Sequence, residues 1–321
     1  MDLQIMKRSR RDDGKEPRVE TTVANEEGYD DCSITRLPEA CLAHAISLTT
    51  PMDACRSSAV SSAFQKAASS DTVWERFLPP GYTSILDRAD HPVDLTSTKK
   101  ELFLNLAQDH VLLDQGTKSF WLEQTSGAKC YMLSSRSLMI ILADNPIYWR
   151  QSYLPDSRFE EAAELLSVCW FEMSGNIDCT ELSPNTQYAA YLVFNLADES
   201  YGLDCPTQEA SITIRDLMVS AKRTVSLHPR TTAQETPPCG SGGGCLGTRG
   251  GDERGGGGRA EEESTVSYPR ERGDGWMEVE LGEFYNHYGD TGMVAIRLTE
   301  TVQLHWKKGL ILEGVEIRPK S

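Results

Sequence analysis

The stretch Ser119–Glu172 reads SFWLEQTSGAKCYMLSSRSLMIILADNPIYWRQSYLPDSRFEEAAELLSVCWFE, and its rhythm decides the fold. It holds three of the six tryptophans: Trp121, Trp149 and Trp170. Turn residues at Gly127, at Ser134-Ser135 and at Asp144-Asn145-Pro146 cut it into short apolar runs. Phe120 to Leu122, Tyr131 to Leu133 and Leu138 to Leu142 each have the length and composition of a strand. From Ser157 to Leu166 the period changes. Phe159, Ala162, Ala163 and Leu166 share one helical face, Glu160, Glu161 and Glu164 fall mostly away from it, and Asp156 or Ser157 offers an N-cap. Strand pattern resumes at Val168 to Met173. This spacing predicts a β-rich domain with one packed helix.

Further along, YAAYLVFNL (Tyr188–Leu196) is strongly strand-like, and Ser211 to Ser220 is another strand candidate. Thr231 to Glu263 differs in kind. Eleven of the nineteen residues from Gly240 to Gly258 are glycine, which cannot build a core and predicts a flexible insertion. A phosphate-loop reading fails there, because no G-x-x-x-x-G-K-[ST] occurs, no strand immediately precedes the glycines and no helix-forming run stands behind them. After it, Met277, Val279 and Leu281 alternate with Glu278 and Glu280. Val294, Ile296 and Leu298 alternate likewise, and Leu310 to Ile317 forms the last strand. Alternation predicts antiparallel strands with one wet face, and the strands flanking the glycines are expected to pair, with the insertion at a hairpin tip.

The wording of these blocks resembles the phloem lectin family of plants, the phloem protein 2-like or Nictaba-related domain. KCYMLSSRSL (129–138), NPIYW (145–149), LPDSRFEEAAELLSVCWFE (154–172) and LSPNTQYAAYLVFNL (182–196) carry the resemblance through the first half. DGWMEVELGEF (274–284) and HWKKGLILEGVEIRPK (305–320) carry it through the second. Several blocks in order over Ser119 to Lys320 are more specific than any single motif. The resemblance implies an antiparallel, lectin-like β-sandwich for residues 113–320, interrupted at about 231–263.

Upstream, ITRLPEACLAHAISLTTPMDACRSSAVSSAFQKAASSDTVWERFL (34–78) reads as three short helices. Pro38 opens the first, where a missing N–H costs little. Thr50 or Asp53 starts the second, over Met52 to Ala68. Ser70-Asp71 starts the third, and Pro79-Pro80-Gly81 ends it. Three short helices bury little alone and should expose an apolar face, which points to a docking module. The leucine-proline opening, the spacing and Trp74 resemble the F-box, whose presence implies a Skp-type adaptor and a cullin-RING ubiquitin ligase as partners. Phe64 stands where many F-boxes carry a second tryptophan. Leu37, Pro38, Leu42, Ile46, Val60, Phe64 and Trp74 are the candidate adaptor-facing or supporting set, with Met52 or Ala54 as additions.

The expected organisation is α+β and multidomain: a tail (1–32), an F-box (33–80), a linker (81–112) and the sandwich. The linker holds one short helix over Ser97 to Gln108, in which Thr98 and Glu101 stand at capping-box distance. The tail carries the basic cluster Lys7 to Arg11, a candidate nuclear import signal, so nucleus and cytoplasm are the expected locations. A net charge of −16 argues against nucleic-acid or membrane-surface binding by the whole chain. No run approaches the ~18 apolar residues of a membrane span. The nine cysteines show no C-x-x-C and read as reduced, mostly buried thiols; no metal site and no cofactor are expected.

No catalytic constellation is visible: the six histidines stand alone and no G-x-S-x-G occurs. The expected activity is non-catalytic, that of a receptor subunit holding a protein or glycoprotein target. In sugar-binding members, the resemblance implies two tryptophans around the turn IILADNPIYW (140–149), aided by acidic residues from the C-terminal strands. Trp149 stands at the second of these positions and Leu142 at the first, which removes one stacking platform and makes any glycan binding weak. Glu280, Glu283 and Glu300 are the candidate acidic partners, and Ala295 replaces one in this reading. A free intracellular lectin is the rival reading, and recognition of a polypeptide through the same rim is a third.

Overall fold

The computed structural model describes residues 37–230 and 266–320. The tail with its basic cluster and the glycine-rich insertion lie outside the described residues. From Pro38 onward the chain forms one compact unit.

Six helices come first: α1 (Glu39–Ser47), α2 (Pro51–Ser57), α3 (Ser62–Ala68), α4 (Asp71–Phe77), α5 (Tyr82–Leu86) and α6 (Lys99–Gln108). The second helix expected from the sequence is therefore two. Thr50 caps α2 by accepting from Asp53 N–H, with Pro51 in the first turn. Ser61, fully extended, caps α3 by accepting from Phe64 N–H, and an extended residue there ends any continuous helix from Met52 to Ala68. Trp74 is the hub. It is fully buried, its indole N–H donates to the Ala68 carbonyl at 2.6 Å, and Phe77 meets it edge-on at 5.5 Å. Phe103 of α6 packs on the same indole at 5.2 Å. The segment expected as a linker thus contributes core. The Thr98–Glu101 capping box that starts α6 is present with both of its bonds.

The strands follow: β1 (Val111–Leu113), β2 (Lys118–Leu122), β3 (Lys129–Ser134), β4 (Met139–Ile140), β5 (Trp149–Tyr153), β6 (Glu161–Leu165), β7 (Phe171–Asp178) and β8 (Thr186–Tyr201). Then come β9 (Gln208–Ile214), β10 (Leu217–Met218), β11 (Arg223–Val225), β12 (Arg270–Glu271), β13 (Met277–Asn286), β14 (Met293–Glu300) and β15 (Lys308–Pro319). One sheet runs β1-β2-β3-β15-β8-β13-β12, with β5-β6 attached along β15; the other runs β10-β9-β14-β7-β4, with β11 beside β9. The named strands pair antiparallel throughout. Inward residues of both sheets, among them Leu192 and Phe194 of β8, Ile212 of β9 and Ile296 of β14, share one core. The architecture is a β-sandwich behind a small helical unit.

Three expectations fail. Ser157 to Leu166 is not a helix. Residues 155–160 form turns, Glu160 adopts φ +62°, and Glu161 to Leu165 is strand β6, pairing with β5 on one side and β15 on the other. Small alanines at 162 and 163 fit a strand closed on both faces, and tertiary pairing overrides the local helical period. The strands flanking the insertion do not pair. β11 lies in one sheet and β12 in the other, and Val225 of β11 makes an isolated parallel bridge to Ser267, ahead of β12. β13 and β14, the two alternating strands, likewise lie in different sheets. The cysteines are also not uniformly free: Cys205 is disulfide-bonded, Cys41 and Cys55 are exposed, and Cys130 and Cys179 are buried.

Candidate functional site

The helical unit divides the seven residues singled out there. Leu42, Ile46 and Trp74 are buried and hold the helices together. Phe64 is half-buried against the same core. Leu37 and Val60 are 47% and 67% exposed, and Pro38 is exposed. Of the two additions, Ala54 is buried and Met52 half-buried. Helical spacing explains the division in α1: Leu42, Ala43 and Ile46 turn inward, while Cys41, Ala45 and, just past the helix end, Leu48 turn outward. Leu48 is 59% exposed. Exposed leucines and valine on a unit this small are an apolar surface that no other described residue covers.

At the sandwich rim, Trp149 begins β5 and points inward. It is 3% exposed, and its indole N–H donates to the Ile141 carbonyl at 3.2 Å. Its ring faces are core surface in this structure, which leaves no stacking platform at that position. Leu142, in a left-handed conformation at φ +61°, is exposed together with Met139, Ile141 and Ile147. Beside them opens a groove of about 630 Å³, bordered by Arg136, Asp144, Gln151, Glu161, Glu172 and Ser174.

The acidic candidates are spread over two other places. Glu280 and Glu283 sit on β13 under Lys320, whose ammonium lies 2.6 Å and 3.0 Å from them, with Arg223 bridging at 2.8 Å and 3.7 Å. The Lys320 hydrogen bond holds the Glu283 carboxyl below its ordinary range. Glu300 ends β14. One oxygen accepts from the N–H groups of Val302 and Gln303, the other from Lys307 at 2.6 Å. Burial opposes its charge, yet Lys307 and the two N–H groups outweigh that and lower its pKa. Glu300 thus pins the loop after β14, and Ala295, half-buried on the same strand, offers no polar atom. The structure does not bring Trp149, Glu280, Glu283 and Glu300 into one constellation.

A larger charged assembly escaped the sequence reading. Glu278, Glu313 and Glu316 are buried on the outer side of the larger sheet, although alternation had assigned Glu278 to a wet face. Arg318 meets both Glu278 and Glu316. Arg272 meets the same pair at 2.9 Å and 3.1 Å, and Arg270 closes on Glu278 at 2.6 Å. Arg318 lies 3.8 Å above the Tyr191 ring and Arg158 4.8 Å above that of Trp121. Burial works against Glu278, but the arginines win and lower its pKa, whereas burial dominates at Glu313 and raises it. Every carboxylate here accepts from at least one neighbour, so the assembly clamps the loops around Arg158 and Arg272 onto the sheet. The signal was present in DSRFE, MEVE and EGVEIRPK, but alternation alone does not say which outer face is covered.

Fold and surfaces together define a class: an antiparallel β-sandwich fused to a compact helical unit that exposes apolar side chains among the described residues. Residues 128–319 match Phloem protein 2, and the chain belongs to that family. It is similar along nearly its whole length to the F-box protein PP2-B1 of Arabidopsis thaliana, 40% identical over 318 residues that cover 91% of this chain and 93% of the relative. The F-box protein PP2-B10 of the same plant is 40% identical over 284 residues, covering 88% and 92%. The F-box protein VBF is 37% identical over 292 residues, covering 89% and 99%.

Proposed function

We propose that the chain is a non-catalytic substrate receptor of an SCF-type cullin-RING ubiquitin ligase. The helical unit docks a Skp-type adaptor and the sandwich holds the target. The observation that carries this reading is the likeness to proteins named F-box proteins, which spans the helices as well as the sandwich. The exposed Leu37, Leu48 and Val60 support it, since they supply the apolar contact such docking needs. The mechanism is positional: one face fixes the chain on the ligase, the other raises the target's effective concentration near the transfer site.

On the target side we favour a polypeptide over a glycan. The exposed apolar rim of Met139, Ile141, Leu142 and Ile147 suits side-chain contacts, and the inward turn of Trp149 withholds the ring a pyranose would stack on. The chain is proposed to work in nucleus and cytoplasm, on the strength of the basic cluster Lys7 to Arg11.

The test is a sizing-column experiment with purified Skp-type adaptor, the wild-type chain and a Leu37→Ala/Pro38→Ala variant. A stable complex that the variant loses supports the reading. Folded wild-type protein that forms no complex overturns it and returns the sandwich, with its own ligand, to first place.

A further inference from the structure

Where the helical unit meets the sandwich, the loop before β3 comes close to α4: a Cβ on Gly127 would lie 2.8 Å from the Phe77 carbonyl oxygen. Beside this contact opens a cleft of about 900 Å³. Arg76, Phe77 and Pro80 border it on the helical side, and Lys129, Pro184 and Tyr288 on the sandwich side. Its size falls in the range of small-molecule sites, about 300–1,000 Å³.

The charges in this cleft are unbalanced. Lys129 is only 8% exposed, and among the described residues its ammonium reaches a single acceptor, the Thr180 carbonyl, at 3.3 Å. Among the described residues it forms no ion pair. The neighbouring Glu181 is already shared by Lys118 at 2.7 Å and Arg88 at 3.2 Å. Arg76 has neither an ion pair nor a side-chain hydrogen bond within the described residues. The cleft's other charges are spoken for: Lys320 by Glu280 and Glu283, and the Glu123 carboxylate by Thr125 and Ser126. Burying an ammonium against one long bond is costly, and the cost falls when an anion arrives. Burial pushes the Lys129 pKa down to about 8, which still leaves it mostly protonated at neutral pH.

We propose that this cleft binds a small apolar molecule bearing one anionic head group, with Lys129 as the buried cation, Arg76 at the mouth, and Phe77, Pro80 and Pro184 against the apolar body. Such a ligand bridges α4 and the sandwich. The site stands whether or not the helical unit docks an adaptor.

The probe is 1-anilinonaphthalene-8-sulfonate, titrated by fluorescence and calorimetry into the full chain. N-phenyl-1-naphthylamine, the same body without the charge, serves as control. One dye per chain is expected. Lys129→Met should weaken it about tenfold or more and Arg76→Ala about threefold, the scale of losing one charge-assisted contact, while the neutral dye responds to neither. Sulfonate binding unchanged within about twofold in Lys129→Met overturns the proposal, as does neutral dye bound as tightly as the sulfonate. Thermal unfolding checks that each variant folds. If Lys129→Met does not, Arg76→Ala decides alone, and a loss of about twofold or less is a refutation. Octanoate and octyl phosphate then distinguish head groups by displacing the dye; displacement by neither overturns the proposal.

Discussion

Lys307 is fully buried, and its ammonium donates to Glu300 at 2.6 Å and to the His305 carbonyl at 2.8 Å. Replacing it with methionine keeps most of the volume and removes both bonds. Charge-assisted bonds are worth about 1.5–3 kcal/mol each, and breaking one partner of a buried pair costs about 3–5 kcal/mol in measured cases. The stranded Glu300 keeps the Val302 and Gln303 N–H groups, which places the expected loss at the lower end, about 3 kcal/mol. For a domain of this size that lowers the melting temperature by about 6–12 °C. Glu300→Gln should cost about as much, since it strands an ammonium with no exposure. The double variant should lose clearly less than the sum of the two, with a coupling of about 2 kcal/mol, read from urea unfolding followed by tryptophan fluorescence. Because its folded pKa is depressed, Glu300 contributes stability above its ordinary value of 4.5 and loses it as pH falls through the folded value, so Lys307→Met should show a shallower acid limb. Single losses under about 1 kcal/mol, or strict additivity, would refute the view of Glu300 as a structural pin.

Three further outcomes are expected. Gly314→Ala should cost at least about 3 kcal/mol, visible as lost soluble yield or an early urea midpoint, because a Cβ there would sit 2.0 Å from the Leu133 carbonyl oxygen and force β3 off β15. Leu48→Glu should leave stability within about 0.5 kcal/mol, since the side chain is already exposed, yet weaken adaptor binding about tenfold by calorimetry; unchanged binding removes Leu48 from the docking face. Lys129 has a folded pKa near 8 against 10.5 unfolded, so the unfolded chain holds the extra proton and stability without ligand should rise with pH across that window by on the order of 2 kcal/mol. Urea midpoints at pH 8 and pH 10 that shift equally in wild type and Lys129→Met would contradict this.

The sequence was most legible where one physical signal had one structural solution. The apolar run YAAYLVFNL is strongly strand-like, and it is the long β8 between β13 and β15. The T-x-x-E at Thr98 fixes a helix start by local bonding alone, and both bonds are present. Legibility ended where the answer depended on partners distant in the chain. EAAEL is locally helical and becomes a strand because β5 and β15 supply hydrogen bonds on either side. The two outer faces look alike in an alternating pattern. Only the return of the loops around Phe159 and Trp276 buries one of them, and with it Glu278, Glu313 and Glu316. Trp149 was recognisable as an aromatic at a meaningful turn, but its inward direction depends on the core behind it and on the Ile141 carbonyl that its indole N–H meets, neither of which local sequence shows.

The division of the helical unit into buried and exposed residues bears on how a receptor of this kind could work. Leu42, Ile46 and Trp74 would be expected to show large effects in any binding assay of alanine variants, yet they are core, so their effects report folding rather than contact. Leu37, Leu48 and Val60 are exposed, so under the proposed docking their loss would read contact directly. The same logic extends to the join with the sandwich. Phe103 packs on Trp74 and on Phe77, at 5.2 Å and 6.4 Å, so the aromatic cluster that builds the helical unit also carries α6, which leads into β1. A positional mechanism loses effect when the parts that hold adaptor and target swing freely, because effective concentration falls as the accessible volume grows. Under the proposed function, the apolar core that runs continuously from the helices into both sheets restricts that volume, and the cleft at Lys129 borders both parts. A ligand bound there would act on the stiffness of the connection rather than on either binding face.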